Sequence, residues 1–361
     1  MSSLDIVILS ESKDIAHEET MTVGFMRSTK QIKQRIKSVK NTAQITKAME
    51  VVSATKMRKS QEFAIRARPY AVASLEMLKN LLSRTPILPP LLTQREIKKS
   101  ALLVVTSDKG LAGAFNANIL KKAEAWVQHK KMKRASYILI AVGKKARDYF
   151  ERRGEPIHPV RSQSRHDVGT ADPQADRTSN GVQESFVGFG DYSTLKETLP
   201  VAQTVLQEFL LGIFDEVEAV YTNFRSTLRQ EAVVKKILPV TEQGIEEIVE
   251  GILPERGKYT EAGITNHESR IRYNYEYKFE PSASEILEAL VPQLIRMHIH
   301  HIILESNASE HSARMIAMKN ASDSAKEIIN DLTLSFNKAR QSSITQELTE
   351  ITAGKEALEN L

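Results

Sequence analysis

The chain reads as a mixed α+β and α/β protein. A long antiparallel two-helix coiled coil formed by its N- and C-terminal helices carries a small α/β domain with a mainly parallel sheet. Three observations predict this. From Ser284 to Leu361, Pro292 and Gly354 bracket more than sixty residues with neither proline nor glycine. From Ser28 to Ser83 there is no glycine and one proline, Pro69. Between these stretches, short apolar strands alternate with amphipathic helices, the pattern of a parallel sheet covered on both faces.

Composition narrows the possibilities. The 361 residues suit two domains, or one domain with an extension. Hydrophobic residues at 41% allow a real core, and 26% charged with 6% aromatic leans toward helix-rich, solvated surfaces. Cysteine is absent, which excludes disulfides, thiolate metal sites and cysteine nucleophiles together. No run reaches the eighteen or so apolar residues of a membrane span, so the chain reads as soluble, with any membrane association made through partners. Asp5, Glu11, Asp14, Glu18 and Glu19 make the first 25 residues neither a basic secretion signal nor an Arg-rich transit peptide. Net charge is +5, unevenly spread: twelve Lys or Arg stand against Glu50 and Glu62 between Arg27 and Arg68, whereas four Glu and Lys355 follow Gln341. Such a basic run is either a solvated face or a surface for an acidic partner.

Taken in order, Leu4 to Leu9 has the composition of a short strand, and Met26 is an alternative start. Thr29 caps the first long helix. Ile32, Ile36, Val39 and Ala43 set out a heptad-like seam in steps of four, three and four, which then slips in phase to Ile45, Met49 and Val52. Pro69 either kinks this helix or opens a second one. Strands are expected at Ala101–Thr106, Tyr137–Val142, Glu218–Phe224 and Ala232–Leu238, and helices at Asn116–Lys131, Lys144–Arg153 and Thr194–Gly212. Residues 161–190, rich in Ser, Asp, Gly and Gln, read as a flexible insertion. Residues 242–269 are polar with a short helix at Ile245–Val249, and Ile271–Phe279 alternates like an edge strand. In the last helix Leu287, Leu290, Val291, Leu294 and Ile295, then Met315 and Ile316, then Ile328 and Leu332 recur at helical intervals. Ile344, Leu348, Ile351 and Leu358 follow a heptad that calls for a partner helix. Sixty helical residues make a rod of roughly 90 Å.

Few motifs point to chemistry. Ser107-Asp108-Lys109-Gly110-Leu111-Ala112-Gly113 sits between a strand and a helix, where a phosphate can be cradled. It has neither the dinucleotide spacing nor a Walker loop, and a tight turn needs glycine anyway. His298, His300 and His301 tempt toward a metal but have no carboxylate at suitable spacing, so core or surface histidines are the preferred reading. Glu310 and His311 are adjacent on a helix and do not face each other. No nucleophile elbow frames a serine. The basic helix is interrupted by Met49, Val51 and Val52 and lacks aromatic residues, which favours a partner-helix surface over nucleic acid.

Three blocks carry a resemblance: Gln31–Gln61 (QIKQRIKSVKNTAQITKAMEVVSATKMRKSQ), Thr106–Ile119 (TSDKGLAGAFNANI), and the stretch from Glu305 through Gly354 with ASEHSARMIAMKNASDSAKEIINDL and NKARQSSITQELTEITAG. Together they resemble the γ subunit of the F-type ATP synthase, the central rotor shaft. The resemblance implies a coil seated inside a ring of three α and three β subunits, a foot against the ring of membrane c subunits, and contact with an ε subunit. It implies coupling of ion flow to ATP synthesis or hydrolysis on β, no catalytic residues, cofactor or metal of its own, and a peripheral place on the cytoplasmic face of the bacterial plasma membrane. It implies a division into a non-family extension at 1–26, shaft helices at 27–85 and 284–361, and a foot domain at 100–280. By the same carry-over, Lys47, Met49, Lys56 and Arg58 meet an acidic loop of β, as Lys59 also would. Arg340, Gln341, Thr345 and Glu347 make polar contacts at the upper shaft. Lys355 departs from the small residue usual after the equivalent of Gly354. A nucleotide-binding α/β enzyme with a helical extension is the alternative reading.

Overall fold

A computed structural model describes residues 29–82, 89–158, 160–161, 182–183, 186–188, 193–240, 279–280 and 282–359. The strand expected at Leu4–Leu9, the short helix at Ile245–Val249 and nearly all of the edge strand at Ile271–Phe279 lie outside these residues. The elements, in order, are α1 (Thr29–Leu82), β1 (Lys99–Val105), α2 (Phe115–Met132), β2 (Ser136–Val142) and α3 (Lys144–Glu151). Then come β3 (Val160–Arg161), β4 (Val182–Gln183), α4 (Leu195–Leu210), β5 (Glu216–Phe224), β6 (Gln230–Leu238) and α5 (Ala283–Glu359). The chain forms two compact units whose boundaries fall inside α1 and α5: residues up to Ala48 with those from Met318, and Met49–Ala317.

In the larger unit a four-stranded sheet runs in the order β2-β1-β5-β6. β1 pairs parallel with both β2 and β5, and β6 is antiparallel to β5. Alternation along β1 sends Leu102 and Val104 to one face, where they pack with Phe115, Ile119 and Trp126 of α2 and Phe150 of α3. Leu103 and Val105 go to the other face, into a core with Val201, Val205 and Phe209 of α4. Leu78 and Leu81 from the end of α1 and Leu287, Val291, Ile295 and Ile299 from the start of α5 complete that core. The near-continuous apolar strands follow from this two-sided cover.

Local chemistry sets several boundaries. The Glu197 carboxylate accepts the Thr194 N–H at 2.7 Å, so a capping box opens α4. α1 is helical through position 69 without a break, so Pro69 neither splits nor ends it. The stretch read as an insertion is anchored where it is described: β3 and β4 pair antiparallel, and the Phe186 N–H donates to the Ala141 carbonyl beside β2.

In the smaller unit, burial on α5 falls on Met318, Ser322, Ala325, Ile329, Leu332, Phe336 and Ala339, in strict steps of four and three. On α1 it falls on Thr29, Ile32, Ile36, Val39, Ala43 and Thr46. These are the two sides of a coiled-coil seam. Lys47 lies within electrostatic reach of Asp323. Lys47 is eighteen residues from the start of α1. Antiparallel pairing therefore puts that start level with residue ~341, and parallel pairing would put it level with about residue 305. Burial continues to Ala339 and stops, so the helices are antiparallel.

The structure corrects two expectations. The α1 seam does not slip to Ile45, Met49 and Val52, of which Ile45 and Val52 are exposed and Met49 half-buried, but keeps its heptad through Thr46, Glu50, Ser53, Met57 and Ser60. Ile344, Leu348, Ile351 and Leu358 meet no partner helix among the described residues, because α1 begins near the level of residue 341 and the four are exposed.

Gly143 initiates α3 at φ 96°, and a Cβ there would lie 2.2 Å from the Thr106 carbonyl oxygen. Gly110 meets nothing within 4 Å. Gly143→Ala should therefore lose at least about 2 kcal/mol of unfolding free energy in urea, and Gly110→Ala less than about 1 kcal/mol. Equal midpoints for the two variants would refute this account of the β2–α3 turn.

Candidate partner-binding surface

Along the α1/α5 pair of the smaller unit the seam mixes Ile32, Ile36, Val39, Met318, Ile329, Leu332 and Phe336 with small or polar Ala43, Thr46, Ser322, Ala325 and Ala339, and further apolar side chains point outward. Ile45 is 60% exposed and Leu334 73%. Ile344, Leu348 and Ile351 lie on a face out of phase with the seam and are exposed as well. Small seam residues let two helices approach closely, while exposed apolar side chains at helical spacing form a stripe that water does not favour.

The residues expected to touch partners fall into separate bands. Lys47 is exposed beside Asp323, whose carboxyl is held below its ordinary range by the hydrogen bond and charge of Lys326, with Lys319 and Lys47 adding to it. Lys326 Nζ donates to Asp323 Oδ1 at 2.9 Å. Met49 and Lys56 are half-buried, and Arg58 and Lys59 exposed. Arg340, Gln341, Thr345 and Glu347 are all exposed on α5. Thr345 Oγ1 donates to the Gln341 carbonyl at 2.9 Å, and Ser343 Oγ to Glu347 Oε1 at 3.4 Å. Since Lys47 is level with Asp323, about 25 Å of helix separates it from Arg340. Within the smaller unit Lys47 and Arg340 are therefore not parts of one site.

The glycine-containing turn between β1 and α2 is tied up internally. Ser107 N–H donates to Asn116 Oδ1 at 3.1 Å. The Asp108 carboxylate accepts the N–H groups of Lys144 and Gly188, both at 2.8 Å. The turn thus already holds a carboxylate of its own, spent on the start of α3, and a phosphate brought to it would meet that negative charge. Arg314 on α5 donates to the Gly110 carbonyl at 3.2 Å and pairs with Glu310 at 2.5 Å. Its Nη1 lies 3.2 Å from His311 Nδ1. The Glu310–His311 pair is thus part of the clamp that holds this turn to α5. The four-residue spacing of Glu310 and Arg314 is the signal that would have found it.

The histidines are packing residues with one surprise. His301 Nε2 is 3.2 Å from Glu305 Oε1, a carboxylate one turn away that the spacing argument overlooked. His300 Nδ1 is 2.9 Å from Thr198 Oγ1. Burial lowers the His298 pKa to about 3, with the charges of His301 and Lys235 adding to the effect. Burial and His301 lower His300 to about 4. Among the described residues no group of three His, Cys, Asp or Glu side chains converges as metal ligands would.

A helix pair with exposed apolar side chains in one unit and a mixed sheet covered by helices in the other are the features to set beside known proteins. A family model described as ATP synthase matches residues 28–358. The ATP synthase gamma chain of Pelotomaculum thermopropionicum is 40% identical over 342 residues, covering 92% of this chain and 100% of that one. The ATP synthase gamma chain of Roseiflexus castenholzii is 38% identical over 336 residues, covering 92% and 99%. The chain belongs to the ATP synthase gamma-chain family. A chain in the Euglena gracilis mitochondrial ATP synthase structure of OSCP, F1 and c-ring matches the fold of this gamma-family chain with a TM-score of 0.53 at 15% identity. That match covers 91% of this chain and 94% of that one. No helix among the described residues is long and apolar enough to cross a membrane.

The two depressed histidines make stability depend on pH in a fixed direction. An unfolded histidine titrates near 6.5, so below that pH the unfolded chain binds more protons than the folded one. Stability should fall as pH drops from 6.5 toward 4, by roughly 1.4 kcal/mol per pH unit for each histidine fully protonated only when unfolded. Urea melts at pH 7, 6 and 5 measure this, and His298→Leu should flatten the slope. An unchanged slope in that variant would remove His298 from the explanation.

Proposed function

We propose that this chain is the rotating central shaft of an F-type ATP synthase. The α1/α5 pair turns inside a ring of three α and three β subunits, and the α/β unit rests with an ε subunit on the membrane ring of c subunits. Ion flow turns that ring, and the shaft drives the β subunits through their binding changes. The chain itself performs no catalysis and works peripherally at the cytoplasmic face of the bacterial plasma membrane. Residues 27–85 and 284–361 act as shaft and 100–280 as foot, with 161–190 inserted in the foot and 1–26 outside the working part.

The observation that carries this reading is the uncovered end of α5. Ile344, Leu348 and Ile351 project on one face beyond the reach of α1. Their burial by a surrounding sleeve would be worth about 1–2 kcal/mol each. Lys47, Met49, Lys56 and Arg58 form a lower band suited to an acidic β loop. Arg340, Gln341, Thr345 and Glu347 form an upper band of polar contacts. Contacts about 25 Å apart along the helix pair, at Lys47 and at Arg340, transmit torque where a single exposed helix would melt.

Mixing the chain with its α and β subunits should promote assembly into an active ATPase, and the isolated chain should show no micromolar ATP binding in equilibrium dialysis. Deleting residues 341–361 should reduce coupling between ion flow and hydrolysis several-fold before it abolishes assembly. Equal assembly of α and β with and without this chain would overturn the shaft reading.

A further inference from the structure

Over about two turns of α5, from Asn307 to Arg314, polar side chains reach out to four other segments of the larger unit. Ser309 Oγ donates to the Thr222 carbonyl of β5 at 3.2 Å, and Ser312 Oγ to the Thr227 carbonyl in the β5–β6 hairpin at 2.9 Å. Asn307 Nδ2 donates to Ser193 Oγ, just before α4, at 2.7 Å. Arg314 reaches the Gly110 carbonyl, in the β1–α2 turn, with Nε at 3.4 Å and Nη2 at 3.2 Å. Successive helical residues are rotated by about 100°, which puts Ser312 and Arg314 about 160° apart around the helix axis. α5 is therefore gripped from nearly opposite sides.

The grip is dry and directional. Ser309 and Ser312 are fully buried, and Arg314 is 8% exposed. Arg314 is itself held by its neighbours on the helix. Glu310 accepts from it at 2.5 Å, and His311 Nδ1, at 3.2 Å, must accept as well because a guanidinium only donates. The turn at the far end of this contact is strained. Leu111 sits at φ 63°, a left-handed conformation rare for a bulky residue, with its side chain 65% exposed. Such a conformation persists where surrounding contacts over-determine it, and the Arg314 bonds to the preceding carbonyl are one such contact. Further down, Leu287, Val291, Ile295 and Ile299 bury α5 against the sheet, but apolar burial has no preferred direction. Hydrogen bonds weaken steeply once a donor is turned away from its acceptor, so they resist rotation where apolar contact alone does not.

We infer that Asn307–Arg314 is a torsional lock, the segment through which the α/β unit holds α5 against rotation about its own axis, with Arg314 as its positioning residue. The inference rests on the shaft reading and names the side chains that bear the load inside the larger unit. Arg314 acts through the turn it holds: without it the Gly110 carbonyl loses its partner on α5, and only the Asn307 contact remains on that side of the helix.

The test uses the membrane-bound complex assembled with this chain. Arg314→Gln should leave ATP hydrolysis and the initial rate of ion pumping near those of the unsubstituted complex. It should lower several-fold the steepest ion gradient that hydrolysis can build, because a loosened lock slips under load. A covalent bridge supplies the rescue. A Cβ built on Gly113 lies 4.0 Å from Ala317 Cβ, within the span of a disulfide, and the chain has no cysteine of its own. Adding Gly113→Cys and Ala317→Cys to Arg314→Gln should restore the gradient on oxidation and lose it again in dithiothreitol. The reduced state is the control for strain at Gly113, whose φ is 54°. Hydrolysis, initial pumping and final gradient falling together in Arg314→Gln would make the residue a fold stabiliser and overturn the lock. An unchanged gradient in that variant, or a low gradient with the bridge formed, overturns it too. Failure of the unsubstituted chain to assemble with α and β instead overturns the shaft reading itself, a result visible before any membrane is added.

Discussion

One unbroken helix carries two different packing duties, and the other elements are arranged by them. Where α5 passes the sheet, Leu287, Val291, Ile295, Ile299, Ile302 and Ile303 form a broad buried face. A face that wide belongs to a helix forming a wall of a globular core. From Met318 onward the buried stripe narrows to the heptad Met318, Ser322, Ala325, Ile329, Leu332, Phe336 and Ala339. A stripe that narrow belongs to a two-helix contact. No proline or glycine interrupts α5 between Pro292 and Gly354.

The α/β unit divides its sheet edges by chemistry. At the carboxyl ends of the strands, where α/β proteins commonly hold ligands, the polar groups are spent on one another: Asp108 on the start of α3, Arg314 on the Gly110 carbonyl. The opposite edge buries its anions under lysines. Burial alone would raise the Glu216 pKa, but hydrogen bonds and charge from Lys130 and Lys236 hold it below the ordinary carboxylate range. An edge whose acids are already paired leaves its cations and apolar tips for another surface. The fold thus resembles a ligand-binding one while its free chemistry lies at the other end.

The sheet was legible because each strand is buried on two faces, and Leu102 to Val105 or Ile138 to Val142 read as strands on apolar content alone. The α1 seam was legible only as far as Ala43. Beyond it the inward positions are Thr46, Glu50, Ser53, Met57 and Ser60, whereas Ile45, Val51 and Val52 face out. Reading helical seams from apolar spacing assumes that apolar residues are the buried ones. Beyond Ala43 the inward positions of α1 are mostly small or polar, and the apolar ones face out. Ile344, Leu348, Ile351 and Leu358 were misassigned for another reason, since α1 does not reach their level. The Arg314 clamp was hidden for a different reason. Its two ends, Arg314 and Gly110, are distant in sequence, and only the Glu310–Arg314 half is local.

The end of α5 gives the most direct physical reason to expect an enclosing partner. From about residue 341 it has no α1 beside it, and an isolated helix of some twenty residues is marginal in water. What this stretch has of its own is modest. Thr345, Thr349 and Thr352 donate their hydroxyls to carbonyls one turn back, and Gln346 reaches Glu350. Hydroxyl back-bonding of this kind competes with the helix as much as it supports it. A segment that must stay helical while lacking a tertiary partner among the described residues, and that turns Leu348 and Ile351 to solvent, is stabilised by whatever surrounds it. Contact on all sides without a deep anchor is also the condition under which a rod can be held straight and still turn.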